Sequence, residues 1–324
     1  MARRKKGSPV HGWLILDKPL NMTSTTAVAV IKRLFDAQKA GHAGTLDPLA
    51  TGILPIALGE ATKTVSFAVD GEKAYRFTVR WGGETTTDDT EGEVTNRSDR
   101  RPTPDEIAAV LPRFTGEILQ VPPQFSAIKV DGNRAYDLAR EGETVALEPR
   151  PVIIDRLDAV SQPDDSTTVF EAECGKGTYV RALARDMGRA LGCYGHVIAL
   201  RRTRVGPFDE RDAVSLATLE AALKPAADLD SLPGTAAASA GVPVSGGPRL
   251  LLPVESALTD IAEIPVSTSD AATLARGQSI LIRGRDAPVL TGSAYAICKG
   301  RIVAIGELSK GTLQPTRVFN LGAR

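Results

Sequence analysis

The chain has 324 residues, 42% of them hydrophobic and 24% charged, with 39 Lys and Arg set against 39 Asp and Glu. These proportions are those of a globular protein and exclude a wholly disordered chain, a collagen and a coiled coil. The length predicts two domains, one of them large. A formal net charge of zero argues weakly against a nucleic-acid partner, but the charge is unevenly spread. Arg3–Lys6 is a basic arm, and residues 171–206 carry seven Lys or Arg against three acids, so attraction for phosphates would come from stripes. No apolar run approaches a membrane span, and the basic start lacks the apolar stretch of a signal peptide. Cys174, Cys193 and Cys298 are odd in number and widely spaced, as expected of reduced thiols in a cytoplasmic protein.

In chain order, a first strand is predicted over His11–Asp17, followed by a turn at Lys18-Pro19-Leu20-Asn21. A helix fits Thr23–Phe35, where Ala27, Val30, Ile31, Leu34 and Phe35 fall on one face. Gly41–Gly59, rich in Gly, Thr and Pro, breaks any regular pattern. Ala74–Trp81 is the strongest strand signal, with Tyr75, Phe77, Val79 and Trp81 on one face and Arg76, Thr78 and Arg80 on the other. A polar, acidic loop is expected over Gly82–Asp99. Thr103-Pro104-Asp105-Glu106 starts a helix with a capping box, running to about Phe114.

Extended pieces are expected at Phe125–Val130, Val152–Val160 and Val169–Cys174. A second helix covers Thr178–Leu191, its apolar face made by Val180, Leu183, Ala184, Met187 and Leu191, with Gly192 as its stop. The strand His196–Arg204 follows. Pro225–Pro248 reads as a flexible insertion, because Ser231–Pro248 has neither charge nor aromatic ring to pack. Past Ala262 come short strands with Gly turns, at Ser279–Arg283, Ala294–Lys299 and Arg301–Glu307. The division expected is an arm over 1–10, a large domain over 11–262 with the insertion 225–248, and a small β-rich domain over 263–324. The fold class is α+β, a mixed, largely antiparallel sheet with flanking helices.

Motifs narrow the chemistry first by what they exclude. His11, His42 and His196 are far apart and no Cys pair has a zinc-type spacing. Phosphate-loop, dinucleotide and nucleophile-elbow patterns are missing, so chemistry would come from ordinary side chains without metal or cofactor. The most unusual stretch is Gly41–Gly52. Its glycines allow close approach of a ligand, and Pro48 biases Asp47 toward an extended conformation. Asp47 could then act as a nucleophile or a base; a turn in which Asp47 caps local amides is the competing reading.

That stretch, Gly41-His42-Ala43-Gly44-Thr45-Leu46-Asp47-Pro48-Leu49-Ala50-Thr51-Gly52, closely resembles the signature of the TruB family of tRNA pseudouridine synthases. Trp13–Pro19, Leu54–Lys63, Lys73-Ala74-Tyr75, Gly175–Arg181 and His196–Arg202 resemble further blocks of the family, in the family's order. The resemblance covers Gly12 to about Pro207 and much of the tail. It implies a pseudouridine-synthase fold with a small PUA-like RNA-binding domain, matched more loosely, at the C-terminus. The activity implied is isomerisation of uridine 55 in the TΨC loop of tRNA, flipped out of its stack, with no metal or cofactor.

By the same resemblance Asp47 is the catalytic residue, acting on the sugar or removing the C2′ proton. Tyr75 stacks on the uracil and Arg181 pairs with Asp47. His42 helps open the loop, and Tyr179 and Leu200 contact the nucleotide. Charge alone makes Lys18, Arg201 and Arg202 candidate phosphate or sugar contacts, and leaves Arg185 and Arg189 as solvated charges. The expected partner is tRNA, bound by a monomer away from any membrane.

Overall fold

The computed structural model describes residues 7–126, 129–130, 133–134, 147–223, 250–282 and 291–322. The expected insertion Pro225–Pro248 and the arm up to residue 6 lie outside them.

β1 (Gly12–Lys18) leads through a turn to α1 (Ser24–Leu34), which starts where Thr23 accepts a hydrogen bond from the Thr26 N–H. β2 (Ala40–His42) and β3 (Ala50–Leu58) occupy the stretch expected to be irregular. β3 is buried on both faces, so its apolar residues run on without alternating, and strand periodicity cannot reveal it. After α2 (Val65–Asp70), β4 (Lys73–Trp81) keeps the alternation read from the sequence. The expected acidic loop instead holds a hairpin, β5 (Gly83–Thr85) with β6 (Val94–Arg97), and buries Glu84, Asp88 and Asp89. α3 (Pro104–Val110) has the predicted capping box and passes into a tighter turn at Leu111–Phe114.

β7 (Gly116–Gln120) is followed by the short pieces β8 (Lys129–Val130) and β9 (Asn133–Arg134). β10 (Arg150–Asp164) and β11 (Thr167–Cys174) form a long hairpin. α4 (Val180–Ala190) and β12 (Gly195–Val205) fall within a residue or two of expectation. β13 (Phe208–Asp209), β14 (Val214–Ser215) and α5 (Leu216–Leu223) complete this part. The remainder is β15 (Ala262–Pro265), α6 (Thr268–Ala275), β16 (Ile280–Leu281), β17 (Gly292–Cys298), β18 (Arg301–Ser309) and β19 (Thr312–Val318).

Among the described residues the strands build a ten-stranded sheet in the order β14-β1-β3-β12-β4-β11-β10-β7, with β2 beside β3 and β13 beside β12. A five-stranded sheet, β15-β17-β18-β19-β16, forms the C-terminal unit. Pairing in the large sheet is antiparallel except for β1 with β14 and β3 with β12. One face of the large sheet, with Leu14, Leu16, Ile56, Phe77 and Val197, packs against Ile31, Leu183 and Met187 of α1 and α4. Among the described residues the opposite face is covered at the β1–β3 end. There Trp13, Ile15, Ile53 and Phe208 share a core with Tyr295, Ile302, Ile305 and Phe319 of the C-terminal unit. Toward β10 and β11 that face carries ion pairs, Arg156 with Glu173 and, from β12, a half-buried Arg204 with Glu173. One-sided burial is why β4 and β11 alternate and β1 and β3 do not.

Candidate active site

A cleft of about 240 Å³ opens where the loop before β3 meets β4, β12 and the start of α4. Gly44–Asp47, Lys73, Tyr75, Tyr179, Arg181, Leu200 and Arg202 are among its walls. Strand register brings the last two strands together: Leu200 lies opposite Phe77 and Ala50, and Arg202 opposite Tyr75. Asp47 is set just before β3, with its own carbonyl accepting from the Ala50 N–H at 3.0 Å.

Arg181, in the first turn of α4, donates from Nε to Asp47 Oδ2 at 2.9 Å. Its Nη1 donates to the Thr87 carbonyl at 2.8 Å and lies 3.4 Å from Asp89 Oδ2, and its Nη2 donates to the Phe125 carbonyl at 3.0 Å. The guanidinium is thus fully engaged and buried, while its partner carboxylate still reaches the cleft.

Two further buried cations shape the loop from behind. Arg202 donates to the carbonyls of Ile53, Thr45 and Gly44, at 2.8, 3.2 and 3.1 Å. Lys18 donates to the carbonyls of Pro19 and Met22, at 2.9 and 2.8 Å, and to that of Pro48 at 3.4 Å. Burial brings the Lys18 ammonium down to about 8, with Asp47 opposing the shift. Burial also raises the phenols of Tyr75 and Tyr179, which keeps both neutral over the physiological range.

α4 presents Arg181, Arg185 and Arg189 at intervals of four, along one face. Each meets an acid from the β5 hairpin and its connection: Arg181 with Asp89, Arg185 with Asp88 at 3.0 Å, and Arg189 with Glu84 at 2.7 Å. Burial pushes the Asp88 carboxyl up to about 6, against the pull of Arg185. Among the described residues no group of three His, Cys, Asp or Glu is placed to hold a metal ion. Cys174, Cys193 and Cys298 are free thiols, and burial raises the first two to about 11.

Residues 32–180 match the TruB family pseudouridylate synthase (N terminal domain), and residues 181–259 match the tRNA pseudouridylate synthase B C-terminal domain. The chain belongs to the TruB family. It is 60% identical over 318 residues to the tRNA pseudouridine synthase B of Bradyrhizobium diazoefficiens, covering 98% of this chain and 88% of that protein. It is 54% identical over 324 residues to the protein of the same name from Brucella melitensis, covering 99% and 100%. A solved Cbf5-Nop10-Gar1 complex contains a chain of similar fold, with a TM-score of 0.70 at 24% identity over 99% of this chain and 90% of that one.

Against this TruB framework, the structure brings Asp47, Tyr75, Tyr179, Arg181 and Leu200 together in one cleft. His42 lies outside the cleft walls, half-buried in β2, with Nδ1 finding no hydrogen-bond partner among the described residues and burial lowering its pKa. Lys18, expected at a phosphate, is instead fully buried and spent on carbonyls. Arg202 is likewise a buried prop of the Asp47 loop, and Arg201 pairs with Asp17 and Glu210.

Arg185 and Arg189, expected as solvated charges, hold Asp88 and Glu84, and Arg185 is buried. For Arg185 and Arg189 the partner is a carboxylate from a segment 97 to 105 residues away, which local charge cannot reveal, although the Arg189 side chain stays 54% exposed as expected. Asp88 and Asp89 are site residues that sequence reasoning missed, and Lys18, Arg185 and Arg202 are ones it misplaced. For Arg202 a signal existed, since period two puts it on the face of Leu200.

Proposed function

We propose that this chain isomerises a uridine of tRNA to pseudouridine in the Asp47 cleft, the target being uridine 55 of the TΨC loop. The observation that carries the reading is the Asp47–Arg181 pair, with an accessible carboxylate clamped by a buried guanidinium beside Tyr75 and Leu200. It stands in a chain 60% identical to a tRNA pseudouridine synthase B.

Pseudouridine formation breaks the N1–C1′ bond, turns the uracil and joins C5 to C1′. N1 gains a proton and C5 loses its hydrogen, so nothing enters or leaves except protons. Such a reaction needs a carboxylate, a closed pocket and a grip on the base. Asp47 supplies the first, by attack at the sugar or by removing the C2′ proton. Tyr75 stacks on the base, and Tyr179 and Leu200 pack around the nucleotide. His42, beside the loop, takes the space left by flipped bases, which lowers the cost of unstacking. The C-terminal β-rich unit, residues 263–324, serves as a PUA-like clamp on the RNA backbone, and the chain works as a cytoplasmic monomer.

The test is tritium release from tRNA transcript labelled at uracil C5, comparing the wild type with Asp47→Asn. One equivalent released by the wild type and none by the variant, with tRNA binding retained, is the expected outcome. Binding without release by the wild type would leave an RNA chaperone as the better reading. Tight binding of free uridine monophosphate, insensitive to salt and without turnover of tRNA, would favour a small-phosphate enzyme.

A further inference from the structure

The Asp47–Arg181 pair joins a loop to a helix end, two places where backbone is ordinarily least restrained. Each of these places is gripped by one buried side chain from another element. Ser24, at the start of α1, accepts from the Leu46 N–H at 2.8 Å and donates to the Leu46 carbonyl at 3.0 Å. Gln120, at the end of β7, accepts from the Tyr179 N–H at 2.9 Å and donates to the Tyr179 carbonyl at 3.1 Å.

Both side chains are almost wholly buried, Ser24 at 3% and Gln120 at 2% exposure. Leu46 immediately precedes Asp47. Tyr179 is the N-cap residue of α4, two before Arg181, and its own side chain makes no capping bond. A single hydrogen bond leaves a peptide free to turn about it; opposed bonds to the N–H and C=O of one residue fix its backbone on both sides. Around Asp47 the bracket is completed on the far side, where the Pro48 carbonyl accepts from the Asn21 N–H at 2.8 Å.

We propose that Ser24 and Gln120 are positioning residues for the Asp47–Arg181 pair, the first setting the carboxylate and the second setting the guanidinium. Neither lines the Asp47 cleft, so neither acts on the substrate directly. The inference rests on the proposed activity, and its consequence is specific. Loss of either grip leaves RNA affinity in place and lowers the chemical step, because misplacement by about 1 Å can cost about 100-fold in rate.

The experiment measures single-turnover tritium release and the tRNA Kd for Ser24→Ala, Gln120→Ala and Ser24→Thr. Each rate is taken on protein shown by urea titration to be folded under assay conditions. The alanine variants are expected to lose about 10- to 100-fold in rate with Kd within about threefold of wild type. Ser24→Thr, which keeps the hydroxyl, is expected to recover most of that rate. Wild-type rates in both alanine variants, or losses that appear entirely in Kd, would overturn the proposal. Hydrogen exchange at the Leu46 amide, read without RNA, separates the two levels of the argument. It is expected to quicken in Ser24→Ala, and unchanged protection would overturn the proposal whatever the activity. Absence of release by the wild type would instead sink the functional reading.

Discussion

The Asp47 side chain is 35% exposed and that of Arg181 only 6%. The carboxylate at the cleft is therefore open to solvent, while the charge that holds it is buried. Replacing a planar fork by a flexible ammonium keeps the charge and loses the geometry. Arg181→Lys is accordingly expected to reduce single-turnover tritium release by about 100-fold or more, with tRNA binding little changed.

Asp88 offers a test by pH. With its carboxyl held up at about 6, the folded chain keeps a proton between roughly pH 4 and 6 that the unfolded chain has already released. Stability from this group therefore falls as pH rises through that window and is level above it. Asp88→Asn is expected to flatten the slope, read from urea midpoints at about pH 4.5 and 6.5.

Tyr75 was legible on the face of Phe77 and Val79 because strand alternation is a local signal, whereas the Gly41–Gly52 stretch, expected to be irregular, holds the end of β2 and the start of β3. Arg202 was misplaced because its partners are backbone carbonyls 149 to 158 residues away that the finished sheet brings within reach, and Lys18 because its own turn folds the Pro19 and Met22 carbonyls onto the ammonium.

At the scale of elements, β3 shows how a strand can hide. Both of its faces are buried, and Gly52 within it has φ 97° with an added Cβ falling 2.2 Å from the Arg202 carbonyl oxygen. Gly52→Ala would force β3 and β12 apart at the rim of the cleft. The expected cost is about 2 kcal/mol or more, measured by urea unfolding, with activity falling in the protein that still folds.

The Thr103 cap of α3 is the counter-example, read correctly from four residues because capping is a local matter. Thr103→Ala is expected to cost about 1 kcal/mol and to leave tritium release unchanged. The hairpin β5–β6 lay between these extremes. Its acidic residues look like a solvated loop, and what buries them is three arginines about a hundred residues away in sequence.

Over the whole molecule, the two sheets are joined by one apolar core rather than by a linker. Trp13 is fully buried in it and donates from Nε1 to Thr64 Oγ1 and to the Val254 carbonyl, both at 3.2 Å. Lys63 and Glu60 add polar contacts to residues 318 and 320 of the C-terminal unit. Trp13→Ala is expected to cost about 3–5 kcal/mol and to loosen both sheets together, seen as one shifted thermal transition reported alike by Trp fluorescence and far-UV circular dichroism. The α+β class and the β-rich tail could be read from periodicity. The joint core could not, because the pairing of Trp13 with Tyr295 and Phe319 spans nearly the full chain.

The position of β12 between β3 and β4 has a consequence for synthesis of the chain. A ribosome delivers the Asp47 loop, β3 and β4 early, yet those two strands never pair with each other and wait for residues 195–205 to fill the gap. Until then both present unpaired edges, the feature that invites association with other chains. Arg181 emerges 134 residues after Asp47, and Leu200 and Arg202 only within β12. A nascent chain thus carries the Asp47 carboxylate long before these walls of its cleft exist.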